Sequence, residues 1–237
     1  MKRRTRVVMQ LAALCFVLAA SGFAADDAYL YIVHGSPGRD IAENLNPGFP
    51  IDVLVNGESC LERGLAFGTT TGPLSFSAGT YDVEISEANT LAPCTNPSII
   101  DAKVALASGA SVTAVAAISG GEPTLLQFTD NLSAVAPGFT RFVFAQSADA
   151  GALQATLTQL GVKTPKTFTI TASPGKQAGI NLPEGTYLVQ VSASGSTTVL
   201  ATEQIEMDNQ TASFTYAVGE ASNGSVGLIN KTVRDVF

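Results

Sequence analysis

Apolar and polar positions alternate with a period of two through YLYIVH (29–34), IDVLVNG (51–57), TYDVEIS (80–86), SVTAVAAIS (111–119), TFTITAS (167–173), TYLVQVSAS (186–194) and TASFTYAVG (211–219). Successive side chains of a strand point to opposite faces, so this spacing predicts half-buried β-strands. Gly, Pro, Asn and Ser punctuate the segments every 8 to 20 residues, as turns between short strands require. One segment departs from the pattern. In ALQATLTQLG (152–161), Leu153, Leu157 and Leu160 fall at helical spacing with Gly161 beyond them as a C-terminal cap, which predicts one short helix.

The pattern also repeats. FSAGTYDVEIS (76–86) and LPEGTYLVQVS (182–192) share a turn of the form x-G-T-Y leading into an alternating strand, with Tyr81 and Tyr187 separated by 106 residues. Upstream, LYIVHGSPG (30–38) parallels RFVFAQSAD (141–149); downstream, residues 99–120 parallel residues 200–220. Three matched segments in one order predict a duplicated chain, divided into residues 25–136 and 139–237 at Pro137 and Gly138, where Pro and Gly end one strand system. Each half holds about seven strand candidates. The expectation is an all-β protein of two tandem immunoglobulin-like antiparallel β-sandwich domains with polar outer faces.

The first residues change the compartment. Lys2, Arg3, Arg4 and Arg6 precede an apolar stretch from Val7 to Ala20, and small residues follow at Gly22 and Ala24. That is the layout of a secretory signal peptide over residues 1–24, too short and too interrupted for a membrane span. Its removal leaves nine basic against twenty acidic residues, a net charge of −11. Such a balance excludes nucleic acid as a natural partner. The carboxylates are scattered over separate elements, as on a solvated surface.

The order of motifs YIVHGSPG, IDVLVNGE, LAFGT, LSFSAGTYDVEIS, VTAVAAISG and LLQFTDNLS resembles the bacterial family known as domain of unknown function 4397. The resemblance covers residues 28–133 and extends more loosely over 139–237. It implies an exported β-sandwich, often in tandem, located in the periplasm or at the cell surface, and it brings no reaction and no site residues. Here RDIAENLNPGF (39–49) is inserted before the second strand, and the second half lacks the His and Pro of HGSP.

Few residues suggest chemistry. Cys60 and Cys94 are the pair left after signal cleavage, so an exported chain reads them as a disulfide, with a redox pair the less natural alternative at this separation. His34 is the only histidine, which rules out a multi-His metal site. His34, Ser36 and Asp52 can be written as a hydrolytic triad, but no nucleophile elbow surrounds any serine. The alternative is that His34 and Ser36 form a polar corner at the end of the first strand. Asp52 and Asp82 lie out of phase with their apolar neighbours and read as outward-facing. No calcium-loop or phosphate-loop pattern occurs, although Asp26, Asp27, Asp40 and Glu43 could hold Ca²⁺ weakly. SGGEP (119–123) reads as a hairpin turn.

The inserted segment mixes charge, amide and one aromatic side chain in Arg39, Asp40, Glu43, Asn44, Asn46 and Phe49. Loops at the ends of a sandwich collect binding residues, so it is either a binding loop or a tolerated surface insertion. Together these features point to a non-enzymatic exported binding or adhesion-type module of the envelope, without cofactor or metal. Its partner would be an envelope polymer, glycan or protein. The alternatives are a structural spacer and, third, a periplasmic hydrolase built on His34.

Overall fold

The computed structural model describes residues 27–41, 45, 46 and 48–234. The signal peptide expected at 1–24, together with Glu43 and Asn44 of the insertion, lies outside the described residues. The described chain is built of strands with one helical turn. In the first half these are β1 (Ala28–His34), α1 (Gly38–Ile41), β2 (Ile51–Val55), β3 (Ser59–Leu65), β4 (Thr70–Phe76), β5 (Gly79–Glu87), β6 (Ser98–Leu106), β7 (Ser111–Ser119) and β8 (Glu122–Thr129). The second half runs through β9 (Phe139–Gln146), β10 (Leu153–Gln159), β11 (Thr167–Ala172), β12 (Gln177–Pro183), β13 (Gly185–Ala193), β14 (Val199–Met207), β15 (Ala212–Val218) and β16 (Gly227–Val233).

Each half is a sandwich of two four-stranded sheets. The first pairs β3-β2-β5-β6 with β4-β1-β7-β8, and the second pairs β11-β10-β13-β14 with β12-β9-β15-β16, so the same strand order recurs eight strands later. Pairing is antiparallel except between β1 and β7 and between β15 and β9. The two x-G-T-Y segments also do the same work. Tyr81 donates to the Ser77 carbonyl at 2.7 Å and Tyr187 to the Pro183 carbonyl at 2.8 Å, the tyrosine-corner device of immunoglobulin-like sandwiches. Gly120 and Gly121, with φ of 63° and 79°, form the tight β7–β8 hairpin that SGGEP predicts.

Segment 152–161 is a strand rather than a helix. Leu153, Ala155 and Leu157 point into the second core, so the inward set includes Ala155, and the helical spacing of the leucines is coincidental. The polar alternates Gln154, Thr156 and Thr158 pair with β11 and β13, and the threonines favour an extended chain.

A second departure concerns the expected polar outer faces. They exist only on the two outermost sheets. On β1, Leu30 and Ile32 enter the first sandwich core while Tyr31 and Val33 face the other way. On β9, Phe142 and Phe144 fill the second core while Val143 and Ala145 turn outward. Tyr31, Val33, Val115, Ala117 and Phe128 of the first half then pack against Val143, Ala145, Phe214, Tyr216 and Val218 of the second, making a third apolar core. The molecule is therefore four sheets deep. The connection between halves is held too, since Arg141 Nη1 donates to the carbonyls of Asn131 and Ser133 at 3.1 and 2.8 Å.

Candidate functional site

The HGSP corner follows directly from the end of β1. His34 N–H donates to Thr69 O at 3.0 Å, Gly35 N–H to Ala116 O at 2.8 Å, and Gly68 N–H to His34 O at 2.9 Å. A Cβ on Gly35 would sit 2.6 Å from Val218 Cγ1 and 3.0 Å from Ala116 O, so only glycine lets this corner wedge between the halves. The His34 side chain is fully buried, lies edge-on to Phe67, and places Nε2 2.6 Å from Phe49 O. Nε2 therefore carries the proton and donates it to that carbonyl. Burial pushes the imidazole below its ordinary 6.5, with the Phe49 carbonyl opposing the shift. Ser36 is buried beside it in sequence, and its hydroxyl bonds to neither His34 nor Asp52.

Asp52 is 1 % exposed, not outward-facing on the surface. Its phase on β2 is that of an outer-face residue, but the 88–97 loop lies over it. Oδ1 accepts from Gly64 N–H at 2.8 Å, and Oδ2 accepts from Asn89 N–H at 3.0 Å and Cys94 N–H at 2.8 Å. Cys60 and Cys94 form a disulfide with Cα atoms 5.8 Å apart. Carboxylate and disulfide thus fasten one loop from two sides. His34, Ser36 and Asp52 do not assemble into a triad: the imidazole bonds a main-chain carbonyl and the carboxylate bonds main-chain amides. Asp82, by contrast, is exposed and pairs with Lys103 at 2.5 Å.

The described part of the insertion is largely built into the body. Phe49 is 4 % exposed within the first core, where Ile41 and Leu45 join it. The Asp40 carboxylate is closed from solvent and accepts from Asn223 Nδ2 at 2.9 Å and Ser225 Oγ at 2.6 Å, both in the turn before β16. Arg39 is half-exposed with Nε 3.9 Å from Asp40 Oδ1, and the exposed Asn46 caps Gly48 N–H at 2.8 Å. Of the candidate binding residues described, Arg39 and Asn46 reach solvent.

A polar centre that the sequence did not announce lies inside the third core. Asp130 accepts from Ser111 Oγ at 2.8 Å, Thr113 Oγ1 at 3.0 Å and Lys231 Nζ at 2.7 Å. Lys231 Nζ also sits 3.9 Å from the centre of the Tyr31 ring and 4.4 Å from that of Phe214, so two aromatic faces complete its surroundings. The outer surface offers a shallow groove of about 580 Å³ across β5 and β6, lined by Asn56, Asp82, Glu84, Asp101 and Lys103. Among the described residues no group of three or more His, Cys, Asp or Glu is placed to hold a metal, and no helix is long and apolar enough to cross a membrane.

The family model described as a domain of unknown function (DUF4397) matches residues 28–156. No curated protein sequence matches the chain. Among solved structures, a "putative cell adhesion protein" of Bacteroides ovatus is similar over 91 % of this chain and 99 % of its own, at 12 % identity and TM-score 0.30. A "putative adhesin" of the same organism covers 91 % and 97 %, at 10 % identity and TM-score 0.27. The Bacillus anthracis TIE protein is similar over 88 % of this chain and 34 % of its own, at 13 % identity and TM-score 0.25. These scores are too low to carry any of those names across.

Proposed function

We propose that this chain, which belongs to the domain of unknown function 4397 family, is a non-catalytic, exported binding module of adhesion type in the bacterial envelope. The observation that carries the reading is the fate of His34 and Asp52. The groups from which a hydrolytic centre would be built are buried, bonded to main-chain atoms and not to one another, so neither can meet a substrate as the folded protein stands. What remains for function is the outer surface, with its acidic groove and end loops. A strongly acidic exported surface fits a protein, glycan or polymer partner and disfavours nucleic acid.

A second reading, a structural spacer, draws on the third core. Burying β1, β7, β9 and β15 on both faces joins the halves into one stiff body, as a spacer needs. We also take the recurrence of strand order and tyrosine corner as the product of duplication, with units at 25–136 and 139–237.

The test is saturable binding of the exported chain to a glycan array and to purified envelope proteins, measured by interferometry alongside His34→Gln. Binding unchanged in the variant is the expected result. Absence of saturable binding to either panel hands the role to the spacer, and turnover of an ester or glycoside substrate that disappears in His34→Gln overturns the non-catalytic assignment.

A further inference from the structure

Leu91 is 96 % exposed, while the next most exposed large apolar side chain described, Val199, reaches 45 %. A lone exposed leucine on a loose loop would mean little. This loop is not loose. Asn89 Oδ1 accepts from Leu91 N–H and Ala92 N–H at 3.1 and 3.0 Å, and Asn89 Nδ2 donates to Thr95 Oγ1 and Asn96 Oδ1 at 3.3 and 3.2 Å. Thr95 Oγ1 donates to Ala92 O at 2.7 Å and Asn96 Nδ2 to Glu87 O at 3.0 Å. Underneath, the Asp52 carboxylate holds the Asn89 and Cys94 amides, and the disulfide ties Cys94 to Cys60. Cys94 is held at a φ of 60°, a left-handed conformation that a non-glycine residue keeps only where its surroundings enforce it.

Every one of these restraints fixes the loop's frame, and its tip is Leu91 followed by the exposed Ala92. Deepening the binding role proposed above, on which it rests, we propose that the 88–97 loop is the recognition element and that Leu91 inserts into an aliphatic pocket of a protein partner. Holding the loop in its bound shape before contact lowers the ordering cost of association, which is where a single apolar anchor gains most. Burying one leucine strengthens association by on the order of ten- to a hundredfold, suited to one pocket at the centre of a protein interface. It is too little to hold a chain on a bilayer, and a body of net charge −11 after export is repelled by anionic lipid. The exposed Glu87 beside the loop asks for a basic rim around that pocket.

The experiment places the photo-crosslinker p-benzoylphenylalanine at position 91 of the full chain and, as a control, at Val162, an exposed apolar residue of the second half. Both chains are irradiated with the envelope of the producing cells. The crosslinked protein is identified, purified and titrated against the unmodified chain, Leu91→Ser and Leu91→Met. The expected result is an adduct at 91 and not at 162, binding at least about tenfold weaker for Leu91→Ser, and binding near the unmodified level for Leu91→Met at an unchanged unfolding midpoint. An adduct with lipid, equal adducts at both positions, or equal affinity of Leu91→Ser overturns the assignment. If the unmodified chain still binds envelope components in those cases, the binding role survives without this loop; if it binds nothing, both fall.

Discussion

Lys231 Nζ lies 2.7 Å from Asp130 Oδ2, and the two residues come from opposite halves of the chain. Their side chains are 5 % and 0 % exposed, in a core whose buried hydrophobics are Val, Phe, Tyr, Ala and Ile. Removing two charges from water costs more than their attraction returns unless the remaining polar atoms are satisfied. Here Ser111 and Thr113 bond the carboxylate, Thr113 also accepts from the ammonium at 2.6 Å, and two rings flank it. The pair thus bridges the two halves of the chain inside the third core.

Cutting the pair on one side should therefore cost far more than removing it altogether. Lys231→Met or Asp130→Leu alone leaves a buried unpaired charge and should destabilise by about 3–5 kcal/mol. The double variant should recover most of that loss. A double-mutant cycle from urea denaturation measures the coupling, and an additive double variant would show that the charges do not meet across the junction.

The same pair gives an alkaline signature. Burial lowers the Lys231 pKa from 10.5 to about 8, with Asp130 opposing the shift. Between those values the unfolded chain holds a proton that the folded chain has released, so stability rises with pH from about 8 toward 10.5, by on the order of 3 kcal/mol at most. Near pH 10 the trend should turn, because burial and Asp130 hold the Tyr216 phenol well above its ordinary 10.0, and ionising it favours unfolding. Unfolding midpoints across this range should show the rise for the unmodified chain and none for Lys231→Met.

Much of this was legible in the sequence and the rest was hidden for identifiable reasons. The outer strands announce themselves by alternation, and the two x-G-T-Y segments look alike because each sets its tyrosine at the same corner. SVTAVAAIS reads as an alternating, half-buried strand, yet all of β7 but its last residue is buried, because alternation in one half does not say that the other half covers the outer face. Asp52 kept the phase of a surface residue because alternation reports the sheet and is blind to a loop laid over it. Asp40 and Phe49 read as a candidate binding loop since charge and an aromatic in an insertion look alike whether they face solvent or a core. Lys231 and Asp130 are 101 residues apart, and no local pattern links them.

Asp52 should prove as important to the 88–97 loop as the disulfide. Asp52→Ala strands the amides of Gly64, Asn89 and Cys94 and should cost on the order of 3 kcal/mol, with faster hydrogen exchange at Asn89 and Cys94. Asp52→Asn, keeping one acceptor oxygen, should lose less. Replacing both cysteines by Ala releases a cross-link spanning 34 residues and should cost up to about 4 kcal/mol. Unchanged exchange at both amides in Asp52→Ala would mean the carboxylate is not what holds the loop.

Asp40 tests whether the insertion clamps the second half. Asp40→Ala removes two hydrogen bonds to Asn223 and Ser225 and should destabilise by about 1–3 kcal/mol. Exchange should accelerate selectively in the turn before β16, since Ser225 N–H also bonds Glu220 O within that turn at 3.0 Å. Acceleration confined to residues 38–46 would instead place the insertion's role entirely within the first half.

His34 supplies the acid-side counterpart of Lys231. Its imidazole is neutral in the fold because burial disfavours the charged form, and its folded pKa lies below 6.5. As pH falls through 6.5 the unfolded chain takes up a proton before the folded chain can, so the stability present above 6.5 drains away on acidification. In His34→Gln the side-chain amide can still donate to Phe49 O but cannot titrate. The unmodified chain should therefore lose more stability than the variant between neutral pH and about pH 5, and the imidazole resonances should titrate with a midpoint below 6.5. Equal losses would place the acid sensitivity in the carboxylates, whereas a midpoint at or above 6.5 would mean that the corner admits water and that the imidazole is open to chemistry after all.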